Sequence, residues 1–255
     1  MKTIAIIQVR VGSTRLPKKV LLDLSGKTVI QRVIERVLAA QKVDQVVVAT
    51  TINKEDLVLV KLCAEIGVSV FCGAEEDVLD RFYQAARLFK ADQIVRITAD
   101  CPLIDPKVID AIVQRHLQAG NDYTSNTLIE TFPDGEDVEV MTSAALKKAW
   151  QEAKLSSERE HVTPYIKKNN TLFKIENYFN NDDLSAKRWT IDNSEDYEFI
   201  GRIYAALGGK KKIFGMADIL KHLQSNQGLE KLNHHIKRNE GYVKSLKEDR
   251  EVVHG

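Results

Sequence analysis

The amino-acid sequence predicts an α/β protein built on a doubly wound, mostly parallel sheet. Two observations carry that expectation. Short apolar runs alternate with stripes of apolar residues at helical spacing through the first hundred or so residues, and neither linker composition nor an internal repeat breaks the chain. With 255 residues, 44% of them hydrophobic, the chain can bury one sizeable core, alone or with an appendage.

Each element has its own warrant. Residues 3–9 are an apolar run that reads as a buried strand. Thr28 and Gln31 have capping-box spacing, and Val29, Ile30, Val33, Ile34, Val37 and Leu38 form a helical stripe behind them. Residues 45–50 read as a second buried strand, completing a βαβ unit with a right-handed crossover. A helix over about 55–66, a strand over 68–71, a helix over about 78–89 and a strand over 94–97 continue the rhythm.

From about Asn121 the pattern changes. Residues 123–127 and 137–140 read as short strands around the turn Phe132-Pro133-Asp134-Gly135, more antiparallel than parallel. A helix over about 143–152 follows, then the polar stretch 156–165, strands near 172–177 and 188–191, and a helix over about 194–207. The expected organisation is a main domain over 1–227, with a small antiparallel arm at about 121–168, and a charged helical tail over 228–255.

The 37 basic and 36 acidic residues nearly cancel, so no global field draws the chain to nucleic acid or to an acidic membrane. No apolar run approaches the ~18 residues of a membrane span, and the start is too short for a signal peptide's apolar region, so a cytoplasmic protein is expected. Cys63, Cys72 and Cys101 lie far apart, which predicts neither a disulfide framework nor a zinc site. Cys63 and Cys72 are expected to be buried free thiols. His234 and His235 have no ligand partner at metal spacing and are expected on a solvated helix face.

The first strand runs into Ile7-Gln8-Val9-Arg10-Val11-Gly12-Ser13-Thr14-Arg15-Leu16-Pro17-Lys18-Lys19. This loop leaves the carboxyl end of a strand, where open α/β sheets bind ligands. It concentrates Arg10, Arg15, Lys18 and Lys19, two hydroxyls, and a glycine that allows close backbone approach, a set suited to triphosphate oxygens. A solvated basic loop is the alternative. Neither Gly-x-Gly-x-x-Gly nor Gly-x-x-x-x-Gly-Lys-Ser/Thr is present, so a bound nucleotide has to be held by this loop.

The order Arg-x-x-Ser-Thr-Arg-Leu-Pro-x-Lys after an apolar strand resembles the signature loop of the CMP-sugar synthetases, and Ile7-Gln8-Val9-Arg10 resembles the cytidylyltransferases of spore coat polysaccharide biosynthesis. Where that group commonly has glycine, this chain has Lys18, which makes the turn less free. The likeness extends over essentially the whole chain, including Gly73 to Arg81, Glu158 to Tyr165, Arg188 to Asp196 and Arg238 to Leu246.

The resemblance implies a Rossmann-like fold of the nucleotide-diphospho-sugar transferase type, and transfer of CMP from CTP to a nonulosonic or 3-deoxy-ulosonic acid with release of pyrophosphate. It implies Mg²⁺ on Asp100, for which a helix cap is the alternative reading. Asp192 is a second metal ligand or a helix cap, a choice the sequence leaves open. Arg10, Arg15 and Lys19 would stabilise charge on the pyrophosphate. Gln8, Val9, Gly12, Ser13, Thr14, Thr50, Thr51, Gly73, Asp77 and Arg81 would complete the nucleotide site, with a helix N-terminal acid as the alternative for Asp77. Asn126, Asp137, Glu139, Glu160 and His161 would face the sugar. The resemblance also implies a homodimer, with Arg159 or His161 near the partner's site. A glycosyltransferase of the related fold, or a non-catalytic nucleotide-binding protein, is the rival reading. The former generally needs Asp-x-Asp, whereas Cys101 and Pro102 follow Asp100.

Overall fold

The computed structural model describes residues 1–13, 15–209 and 213–249. Among them, strands β1 (Thr3–Gln8), β2 (Gln45–Thr51), β3 (Ser69–Gly73), β4 (Gln93–Thr98), β5 (Tyr123–Ser125), β6 (Glu139–Thr142) and β7 (Ile175–Asn177) form one seven-stranded sheet in the order β3-β2-β1-β4-β6-β5-β7. β1 to β4 pair in parallel, β6 runs antiparallel to both β4 and β5, and β7 is parallel to β5. Residues 121–168 thus bring the expected antiparallel pairing, but their strands extend the main sheet and do not project from it.

Helices cover both faces. On one side, α1 (Val29–Leu38), α2 (Leu57–Glu65) and α4 (Pro106–Ala119) bury Ile30, Val33, Leu59, Ile109 and Val113 against Ala5, Ile7, Val48 and Val95. On the other, α3 (Val78–Leu88) and α5 (Ser143–Glu152) bury Leu79, Phe82 and Leu146 against Ile4, Ile6, Val47 and Met141. This is the expected consequence of strands apolar on both faces. Thr28 and Gln31 close the capping box of α1.

α4 starts at the cap Asp105 with Pro106 in its first turn and ends at Gly120 in the left-handed region. After α5 come the short helices α6 (Ser156–His161) and α7 (Pro164–Lys168), then α8 (Ser194–Leu207), α9 (Met216–Gln224) and, in the tail, α10 (Glu240–Lys247). α8 and α9 form a third apolar cluster with Trp189, Leu24 and Leu103.

Two expectations change. Residues 188–191 form no strand. Asp134 and Arg188 make an isolated bridge where Gly135 (φ +110°) crosses the chain, and a Cβ on Gly135 would stand 2.6 Å from the Trp189 carbonyl. Only glycine permits that crossing, which fixes the path toward Asp192. Cys72, expected to be buried, is exposed, because edge strand β3 turns it outward; Cys63 is buried.

Candidate active site

The carboxyl ends of β1 and β4 lie side by side, with Gln8 opposite Thr98. The loop from Val9 leaves the first and Asp100 follows the second. Lys18 adopts φ 55°, ψ 27°, a left-handed conformation in which glycine is unstrained, and so bears the cost of replacing that residue. The short helical turn Lys19–Leu21 then aims Lys19 inward. Its Nζ donates to Asp100 Oδ2, Asp192 Oδ1 and the Ile191 carbonyl, each at 2.8 Å. Burial opposes the charge on Lys19, and the two carboxylates outweigh it and hold the ammonium above its ordinary pKa. Burial likewise opposes ionisation of Asp100, and Lys19 more than compensates, keeping that carboxyl well below its usual range.

Asp192 is gripped from several sides. Arg15 Nη2 lies 2.7 Å from Oδ1, and Arg188 Nη2 lies 3.0 Å from Oδ2. Arg188 is itself anchored by Asp196 at 2.9 Å and Asp134 at 2.8 Å. Asn193, not Asp192, is the cap residue of α8, and Asp196 closes its box, so the helix-cap alternative for Asp192 is not the arrangement present. Asp100 caps no helix either; Asp105 does.

The rest of the nucleotide-side residues divide. Val9 is buried, and its N–H donates to the Ala49 carbonyl. Gly12 packs beside Glu55, since a Cβ there would meet that carboxylate at 3.2 Å. Ser13 is half-buried in the loop, and Thr14 lies outside the described residues. Arg10 pairs with Glu75 at 3.0 Å. Thr50 is buried with its hydroxyl unpartnered, whereas Thr51 donates to Asp56.

Arg81, 3% exposed, packs against Gly73 and leaves Nε and Nη1 without partners. Burial, reinforced by repulsion from Arg10, pushes its pKa down to about 10. Asp77 is engaged within the fold: it caps α3 and pairs with Arg159. That ion pair buries Arg159 in its own chain.

Beyond Asp100 opens a cavity of about 430 Å³, whose walls include Gln8, Arg96, Asp137, Glu139, His161 and Lys167. Glu139, on β6 opposite Arg96 on β4, is 2% exposed and receives the Arg96 guanidinium, Lys167 Nζ at 2.8 Å, Thr163 Oγ1 at 2.7 Å and the Tyr123 hydroxyl. Burial raises its pKa, and the two cations more than reverse this, so Glu139 stays ionised well below the carboxylate range. His161 donates to or accepts from the Ser245 hydroxyl at 2.9 Å, and burial first of all lowers its pKa.

Two sugar-side expectations fall outside the cavity wall. Asn126 is wholly buried and staples its own loop, bonding to the Glu136 carbonyl and the Val138 N–H. Glu160 is exposed and accepts from Ser245 at 2.8 Å.

Sequence reasoning missed Arg96, Lys167 and the tail. Arg96 carried a signal, as a charge inside an otherwise apolar strand. The tail carried one only in its family-like run Arg238 to Leu246, which does not reveal its contacts: Arg238 reaches Asp137, Glu130 at 3.2 Å and the Phe132 carbonyl at 3.3 Å, while Glu240 meets Arg15 at 3.2 Å. Asn239, Glu240, Gly241 and Tyr242 thereby complete the cavity wall.

A doubly wound sheet whose first loop sets cations against paired carboxylates beside a cavity defines a nucleotide-handling transferase. Residues 4–231 match the cytidylyltransferase family, and the chain belongs to it; it is a CTP-using nucleotidyltransferase. It is similar to a cytidylyltransferase structure from Leptospira borgpetersenii serovar Hardjo-bovis (TM-score 0.87, 35% identity, 93% of this chain and 100% of that one). An uncharacterised protein of Methanocaldococcus jannaschii is 40% identical over 248 residues, 93% of this chain and 97% of its own. The spore coat polysaccharide biosynthesis protein SpsF of Bacillus subtilis is 34% identical over 215 residues, 82% of this chain and 88% of its own.

Proposed function

We propose that this cytidylyltransferase transfers CMP from CTP to an acidic sugar, a nonulosonic or 3-deoxy-ulosonic acid, for surface polysaccharide or glycan biosynthesis. The observation that carries the reading is the junction of the triphosphate loop with the cavity. At that junction Arg96 and Lys167 share the carboxylate of Glu139 while Arg238 engages the neighbouring Asp137, so two cations on the cavity wall are placed to meet an acceptor carboxylate.

In the reaction, an acceptor hydroxyl oxygen bonds to the α-phosphorus, the bond to the bridging oxygen of the β-phosphate breaks, pyrophosphate leaves and the hydroxyl proton passes to solvent. Arg10, Arg15 and Lys19 neutralise charge growing on the pyrophosphate, and the cavity holds the acceptor in line. Arg81, with its unused donors beside Gly73, is the group best placed to meet an acceptor atom of the nucleotide.

The donor set fits a hard divalent cation, because two carboxylates already converge on one cationic nitrogen. Asp100 and Asp192 would hold it, Mg²⁺ in this reading, and when bound it supplies charge neutralisation on phosphate oxygens. The reading places the enzyme in the cytoplasm as a two-fold dimer, for which exposed Ile129 and Phe179 offer apolar surface; light scattering checks that state. The test of base choice is thermal unfolding with Mg²⁺. CTP should raise the melting temperature, by about 2.7 kcal/mol of stabilisation at a hundred times its Kd, and ATP, GTP and UTP should do so less. Equal shifts for all four would refute it.

A further inference from the structure

We propose that Lys19 is the resident cation of the divalent-metal position in the nucleotide-free enzyme, so that the metal enters only together with the triphosphate, whose oxygens draw the ammonium away. The inference rests on the assignment of Asp100 and Asp192 as metal ligands made above.

The Lys19 ammonium has three N–H donors, and three oxygens receive them: Asp100 Oδ2, Asp192 Oδ1 and the Ile191 carbonyl, all at 2.8 Å. Its side chain is 14% exposed, so this pairing is worth more than a surface ion pair. Asp192 is also bound by Arg15 and Arg188. Around the two carboxylates there are therefore already three cations, and a divalent ion arriving alone would meet repulsion where it needs ligands.

Ligand number points the same way. Among the described residues no group of three or more His, Cys, Asp or Glu side chains is placed to hold a metal. Mg²⁺ takes six oxygens and commonly completes its shell with substrate phosphates and water.

The neighbouring cations share this arrangement. Arg10 rests on Glu75 and Arg15 on Glu240 and Asp192, so these two loop cations, like Lys19, are engaged by protein carboxylates. Lys19 is the one that engages both assigned metal ligands, Asp100 and Asp192. Its flexible four-carbon stem lets the ammonium exchange Asp100 and Asp192 for phosphate oxygens without refolding the loop. Metal and nucleotide then bind with positive coupling, and Lys19 is the positioning residue that creates it.

The test is Mn²⁺ binding followed by loss of the free-ion paramagnetic resonance signal, on the wild-type protein and on Lys19→Met and Lys19→Gln, each with and without CTP. The wild type should bind Mn²⁺ about tenfold or more tightly with CTP than without it. Both variants should bind Mn²⁺ without nucleotide about tenfold more tightly than the wild type does, and their CTP dependence should shrink. Tight binding of Mn²⁺ alone by the wild type would overturn the proposal, and so would variants that gain nothing while still binding Mn²⁺ with CTP. If Mn²⁺ binds to none of the three proteins even with CTP, the assignment of Asp100 and Asp192 as ligands fails and takes the proposal with it. That pattern is distinct from the other two.

Discussion

The two halves of the proposed site, one for the nucleotide and one for the acceptor, are assembled in different ways. The nucleotide half is made by chain ends of adjacent parallel strands: the loop after β1 and Asp100 after β4 are neighbours because β1 and β4 pair in register. The acceptor half is made by charge compensation between distant segments, Arg96 with Glu139 and Lys167, and Arg238 with Asp137 and Glu130. Backbone topology guarantees the first arrangement, whereas the second stands only while every buried charge keeps its partner. Substitutions should therefore cost turnover in the first half and stability or acceptor affinity in the second.

The largest expected effect is on turnover. Asp100→Asn should reduce pyrophosphate release by about 100-fold or more, the scale of losing one charge-stabilising group in a transition state, while the protein still unfolds cooperatively. Near-normal turnover would remove Asp100 from the chemistry.

Glu139→Gln sharpens the contrast, because it strips the carboxylate shared by Arg96 and Lys167 and should destabilise by about 3–5 kcal/mol in denaturant titration. The pKa of Glu139 is depressed in the fold, so its contribution is fully present above the ordinary glutamate value of 4.5 and is lost as pH falls below it. Wild-type stability should decline through that range more steeply than that of the Gln variant.

A smaller effect is expected at the tail. Arg238→Ala should raise the acceptor KM about tenfold, the scale of a charged hydrogen bond, and leave the CTP-induced thermal shift unchanged. An equal loss on the CTP side would contradict the division of the site.

Arg81→Met should give the smallest effect on stability, and it should be a gain. Removing a buried, partly unpartnered guanidinium is expected to raise the melting temperature by a few degrees, with a diminished shift on adding CTP. A melting temperature that falls would show that Arg81 is better compensated than its orphaned donors indicate.

The same contrast explains what the sequence made legible. The loop from Gln8 to Lys19, Asp100 and the helices at 143–152 and 194–207 follow from local periodicity, caps and strand ends, and the structure places their described residues there. What was illegible depends on contacts far apart in the chain. Asp77 is engaged by Arg159, Asn126 staples its own loop, and the chain at 188–191 is shaped by its crossing with Gly135. The tail's pattern predicts a charged helix, but nothing local foretells that Arg238 meets Asp137, 101 positions away, or that Tyr242 lies against His161, ring centroids 5.0 Å apart. The helix at Pro106–Ala119 has local signals too, in Asp105, Pro106 and Gly120.

The most direct measurement is pyrophosphate release from CTP and Mg²⁺ with 3-deoxy-manno-octulosonate and with nonulosonic acids, each beside an analogue lacking the carboxylate, with products weighed by mass spectrometry. The division of the site predicts a CMP-sugar adduct from at least one acid, and a rate with its neutral analogue at least about tenfold lower, the scale of one charge-assisted contact. Equal rates for acid and neutral analogue, or pyrophosphate without any sugar adduct, would contradict it.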